Sequence, residues 1–283
     1  MEHPALDSNG QQLTLTMAGG NLMPGEAYLA DTPVLRAHAG TQPDLFLRWN
    51  EVPVTAAAID VVVHLHGFSQ QGGAMPLAEK VPRAGLDLSG RARPTLALLP
   101  RGNWIRHTYY DFPALLDGGI ERLVAYGIER FAGAIGAQQG LAVDRFILAA
   151  HSGGGMPAVD AIAGAARPPD ELYVFDGLYG RDPRLGDPMQ GVEVIDSWLG
   201  QRLAREPDRP GALRVIYIER QTGLFSRAVG EVIARHLQKI EPRRAAELAA
   251  RYRVEPSGVP HGYIALIAGP QLLADAGAEI DWR

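Results

Sequence analysis

Apolar and polar positions alternate along residues 13–17 and 45–49, the period of a strand with one covered face. Residues 59–65 depart from that alternation. Ile59, Val61, Val62, Val63 and Leu65 form a nearly continuous, β-branched run around Asp60 and His64, as expected of a strand buried on both faces. Runs of the same kind follow at 95–99, 145–149, 172–175 and 213–218, with a shorter one at 252–254. Between them the apolar spacing turns helical. Ile120, Leu123, Val124, Ile128, Phe131 and Ile135 share one face over 119–137, and residues 192–205 and 226–237 are likewise amphipathic. Strands alternating with helices of this length predict βαβ units, and so an α/β fold with a mostly parallel, doubly wound sheet. The early strands, with no helix before them, are expected to form an antiparallel N-terminal edge. The prediction is one domain over 1–283, with 1–58 as an edge-strand extension.

Composition narrows the function classes. Apolar residues make up 46% of the 283-residue chain and charged residues 21%, a globular balance that excludes wholesale disorder. Glycine (33) and proline (21) are both plentiful, which implies many tight connections. The net charge of −5 comes without a basic cluster, and Lys80 and Lys239 are the only lysines, so nucleic acid and anionic membranes are not expected partners. Having no cysteine, the chain cannot form disulfides, thiolate metal sites or a cysteine nucleophile. No leader and no apolar run near the ~18 residues of a membrane span are visible in the sequence. A soluble, cytoplasmic protein is expected, with a processed exported one as the alternative.

In a doubly wound sheet the chemistry gathers beyond the carboxyl ends of the strands. The strand at 145–149 runs into Ala150, His151, Ser152, Gly153 and Gly154, and a helical pattern follows with Pro157 in its first turn. A serine at the tip of so tight a turn needs small residues two before and two after it, here Ala150 and Gly154. The competing reading is a turn in which Ser152 caps the helix and the glycines bind an anion. At the end of strand 59–65 stand His64, His66, Gly67 and Phe68. His64 and His66 share a sheet face, but no further ligand cluster follows, so His64 is expected to be a satisfied buried histidine and no metal or other cofactor is expected. A serine nucleophile requires an imidazole oriented by a carboxylate. Downstream of Ser152 only His236, on a helical pattern, and His261, in a turn-rich loop, are available.

These features resemble the α/β-hydrolase family from about Ile59 to the C-terminus, with Ala150 in place of the commoner first glycine of the elbow. The resemblance implies an α/β-hydrolase fold, Ser152 as nucleophile and His261 as base. It implies an oxyanion hole from the N–H groups of Gly153 and, through the His66-Gly67-Phe68 match, of Phe68. The family's acid usually follows the strand at 213–218 in a Gly-x-x-Asp pattern, and here Thr222 stands where that aspartate would be. Acids after the preceding strand, as in pancreatic-type lipases, make Asp176 the leading candidate, with Glu219 the alternative and Asp182 and Asp187 behind them. The competing role for Asp176 is that of a turn residue ahead of Gly177.

The long loop after the strand at 95–99 carries Trp104, Tyr109, Tyr110 and Phe112. Trp104 and Tyr109, with His66 and His151, are the candidate pocket residues. Arg101 is read as a structural ion pair ahead of an anion contact. The segment 178–191 leaves room for at most a small lid. The reading that follows is a serine hydrolase of carboxylic esters acting on a small-molecule ester. The alternatives are an amidase or peptidase with the same three residues, or a non-catalytic hydrolase-like binding module. Oligomeric state, acyl group and alcohol stay open.

Overall fold

The computed structural model describes residues 2–6, 12–68, 76–104, 112–137, 140–180, 189–205 and 209–283. Its centre is an eight-stranded sheet in the order β12-β11-β10-β9-β7-β8-β5-β4. The strands are β4 (Gly25–Leu29), β5 (Leu45–Trp49), β7 (Ala58–Leu65), β8 (Thr95–Pro100), β9 (Ala142–His151), β10 (Glu171–Phe175), β11 (Ala212–Tyr217) and β12 (Tyr252–Pro256). The six from β12 to β8 run parallel, and β5 and β4 pair antiparallel at one edge. This is the mixed, mostly parallel sheet that the run of apolar segments predicts. One early strand goes elsewhere. β1 (Glu2–Leu6), β2 (Gln12–Ala18), β3 (Asn21–Leu22) and β6 (Val52–Pro53) form a separate antiparallel sheet. The strand expected at 13–17 therefore lies in this small sheet, not on the edge of the large one.

Pleating sends alternate residues to opposite faces. Val61, Val63 and Leu65 enter one buried layer with helices α2 (Gly119–Ala134), α3 (Gly155–Ala163), α4 (Gln190–Leu203) and α5 (Glu219–Leu237), through Leu123, Val159, Trp198 and Val229. Val62 enters the other, under the short α1 (Leu77–Lys80) and α7 (Ile264–Ala274), with Leu77, Ala268 and Leu272. Leu248 of α6 (Pro242–Ala249) joins the first layer. A sheet covered on both faces leaves its carboxyl edge as the place where strand-end residues meet solvent. Among the described residues, no helix is long and apolar enough to cross a membrane.

The helix at 219–237 starts seven residues earlier than its periodicity predicts. Ile218 alone separates it from β11, and Glu219 sits in its first turn, where the helix dipole favours a carboxylate.

Candidate active site

Strand register assembles the site. Phe175 is paired with His151 on one side and with Ile216 on the other, so Asp176 emerges between the ends of β9 and β11. Leu65 is paired with Ala150, which brings Gly67 level with Ser152 two residues further on. Ser152 has φ 52°, in the left-handed region that a side chain rarely adopts. Such a turn holds the hydroxyl clear of the strand, and it demands close backbone approaches. A Cβ at Gly154 would lie 2.3 Å from the Leu65 carbonyl oxygen, and one at Gly67 would lie 2.6 Å from the Ser152 Cβ. Gly155 meets the Gly177 backbone as closely, a need that the five-residue pattern around Ser152 does not reveal.

Three side chains from three strand ends meet there. His261 Nε2 lies 2.9 Å from Ser152 Oγ, and His261 Nδ1 lies 2.6 Å from Asp176 Oδ2. Asp176 is fully buried, at φ 46°, and its other oxygen accepts the Ile218 N–H at 2.9 Å and the Thr222 hydroxyl. Burial alone would raise the Asp176 pKa, but the bonds from His261, Thr222 and Ile218 outweigh it and hold the carboxyl below its ordinary value. The carboxylate is thus charged and directed at His261. The Thr222 hydroxyl supports Asp176. The alternative acid, Glu219, is exposed on α5 and paired with Arg227. With β11 running straight into the helix, no loop carries Glu219 back to His261. His236 is paired elsewhere, its Nε2 2.6 Å from Asp196 Oδ1.

The remaining candidates divide. His151 donates from Nε2 to the His261 carbonyl oxygen at 3.0 Å, and the two rings stack with centroids 4.7 Å apart, so His151 braces the loop bearing His261. His66 is not a pocket wall. It is buried beneath the loop, its Nε2 accepting the Gly102 N–H at 3.1 Å and its Nδ1 facing the Gly67 carbonyl at 3.0 Å. Both ring nitrogens being engaged, His66 has no lone pair left for a metal. His64 is buried as expected, and among the described residues its Nδ1 has no hydrogen-bond partner. Trp104 packs half-buried against the core. Among the described residues Arg101 forms no ion pair: its guanidinium is buried and donates to the His38 and Thr41 carbonyls. Gly153 follows Ser152 in the chain, and Phe68 follows Gly67, whose backbone lies against the Ser152 Cβ. Tyr109, Tyr110, Asp182 and Asp187 lie outside the described residues, as do 181–188 of the lid segment.

Burial first, and neighbouring positive charge after it, lowers His66 to about 3 and His151 to about 4. Both are neutral in the folded protein near neutral pH, whereas the unfolded chain protonates them near 6.5. Their contribution to stability is fully present above about pH 6.5 and is lost as pH falls toward the folded values. The expected loss is about 1.4 kcal/mol per pH unit per histidine. Urea unfolding at pH 7 and pH 5 checks this. The midpoint should drop markedly at pH 5, and equal midpoints would contradict the neutral assignment.

No protein-family model matches the sequence, and no curated protein does. Solved structures similar to the chain include three hydrolases. A siderophore hydrolase from Aspergillus nidulans is 14% identical, with 90% of this chain and 95% of that one covered and a TM-score of 0.41. A ferulic acid esterase is 14% identical over 90% of this chain and 96% of the other, with a TM-score of 0.47. An α/β serine hydrolase without lid, from Xanthomonas campestris, is 15% identical over 90% and 93%, with a TM-score of 0.39.

Proposed function

We propose that this chain, whose fold is that of the α/β-hydrolases, is a serine hydrolase of carboxylic esters. The observation that carries the reading is the continuous relay from the buried Asp176 carboxylate through His261 to Ser152, at 2.6 and 2.9 Å. With its Nδ1–H given to Asp176, His261 presents a lone pair at Nε2 to the Ser152 hydroxyl. Ser152 Oγ attacks the acyl carbon as its proton passes to Nε2, and Asp176 stabilises the resulting imidazolium. The oxyanion is held by the N–H groups of Gly153, at the start of the helical turn where N–H groups lack partners, and of Phe68. The imidazolium then protonates the departing alcohol. Water, deprotonated by the same nitrogen, attacks the acyl-enzyme and releases the acid.

Phe68, Tyr179, Leu224 and Tyr263 are large apolar side chains left exposed. Each lies within three residues along the chain of Gly67, Asp176, Thr222 or His261, and exposed apolar side chains near the serine would favour an ester with an apolar acyl or alcohol group. An amidase would use the same residues and differ in protonating an amine. Screening p-nitrophenyl esters of increasing chain length against aminoacyl anilides separates the two. Faster turnover of the esters, with fluorophosphonate labelling of Ser152, is expected. Labelling that maps to another residue, or anilides preferred over esters, would overturn the proposal.

A further inference from the structure

The Gly67 carbonyl oxygen beside the serine is held from two sides. Lys80, the last residue of α1, donates from Nζ at 2.8 Å. His66 Nδ1 lies 3.0 Å from the same oxygen. An oxygen only accepts, so that nitrogen carries the proton; the Gly102 N–H donated to His66 Nε2 requires the same tautomer. A cation and a neutral N–H therefore converge on one carbonyl. The carbonyl shares its planar trans peptide with the Phe68 N–H, which must point the opposite way. Whatever fixes the oxygen fixes the direction of that N–H. The constraint matters here because residue 67 is glycine, required by the closeness of Ser152 Cβ and itself a permissive backbone hinge. Anchors on the oxygen restrict the rotation of this peptide.

We infer that Lys80 is a positioning residue of the oxyanion hole, its ammonium locking and polarising the Gly67–Phe68 peptide so that the Phe68 N–H faces the developing oxyanion. The inference rests on the proposed roles of Ser152 and Phe68. A positive charge against the carbonyl draws electron density along the amide and makes its N–H a stronger donor. A half-buried ammonium is costly to keep, and its position one hydrogen bond away from the peptide beside Ser152 gives that cost a use. His66 supplies a second, uncharged anchor, so losing Lys80 loosens the peptide and does not release it entirely.

Charge on Lys80 is set by groups around it. Burial foremost, then Arg83, lowers its pKa to about 8, while Glu79 opposes them. Across from it, His66 and His151 are neutral in this range and add no repulsion. Above about pH 8 the ammonium becomes an amine, which can still donate a hydrogen bond but no longer polarises the carbonyl.

The test measures kcat and KM with a p-nitrophenyl ester between pH 6 and 10 for the wild type, Lys80→Met, Lys80→Arg and Ser152→Ala, with circular dichroism as the folding check. Lys80→Met is expected to lower kcat about 10- to 100-fold, below the full loss of an oxyanion donor, with KM changed less than about threefold. Lys80→Arg should restore most of kcat, because it keeps a cation and donors. Wild-type kcat should decline above about pH 8, and Lys80→Arg, which does not titrate there, should lack that decline. A folded Lys80→Met within threefold of wild-type kcat would overturn the inference. So would an alkaline decline that persists in Lys80→Arg, a result that decides the matter even if Lys80→Met does not fold. Ser152→Ala separates the two levels: activity surviving in that variant removes the serine reading itself. Activity lost there but kept in Lys80→Met removes only the role of Lys80.

Discussion

Ser152→Ala is expected to lower kcat/KM for a p-nitrophenyl ester by at least about 10⁴-fold while leaving the protein folded. Removing a nucleophile leaves only the rate from substrate binding and the oxyanion donors. The substitution deletes a single oxygen, whose bond is to the His261 imidazole and not to a backbone group. Alanine keeps the Cβ that packs against Gly67, so neither a cavity nor a new contact arises. The strain at φ 52° is unchanged too, because serine already carries a Cβ there. Circular dichroism and the urea midpoint should therefore match the wild type to within about 1 kcal/mol, the range of a benign substitution. A purified variant retaining a tenth of wild-type activity would remove Ser152 from the mechanism.

The central sheet was readable in the sequence because a strand buried on both faces leaves an uninterrupted apolar run, and 59–65, 95–99 and 172–175 are such runs. Half-covered strands are less informative. The alternation at 13–17 says that one face is covered, but not by what, and β2 pairs within the small sheet while β5 joins the large one. Residues 219–225 escaped the helical reading because Glu219, Arg220 and Gln221 open α5 with its polar face. As a helix, 219–223 turns Glu219 outward to Arg227 and Thr222 inward. The resemblance to α/β-hydrolases points to Ser152, Asp176 and His261, and the folded chain brings those three side chains into contact. The supporting residues carry no such signal. Thr222, Gly155, Lys80 and the orientation of His66 depend on register and packing between segments far apart in sequence.

Asp176→Asn should cost about 10³- to 10⁴-fold in kcat, and the hydrogen bonds around Asp176 explain why so small a change does so much. One carboxylate oxygen accepts the Ile218 N–H and the Thr222 hydroxyl, while the other faces His261 Nδ1 at 2.6 Å. The Ile218 N–H can only donate, so an asparagine must place its carbonyl oxygen there. Its NH₂ group is then directed at His261 Nδ1. A donor at that point requires Nδ1 to be the unprotonated nitrogen, which moves the ring proton to Nε2. The nitrogen 2.9 Å from Ser152 Oγ would then be unable to take the serine proton. Flipping the amide does not rescue the site, because it sets NH₂ against the Ile218 N–H in a fully buried position. Glu219→Gln removes only an exposed ion pair with Arg227 and should lower kcat less than about tenfold. Both variants are nearly isosteric, so turnover measured beside a urea midpoint compares them directly. A crippled Glu219→Gln with an active Asp176→Asn would return the acid to the segment after β11 and would mean that the Asp176–His261 contact serves the fold and not the reaction.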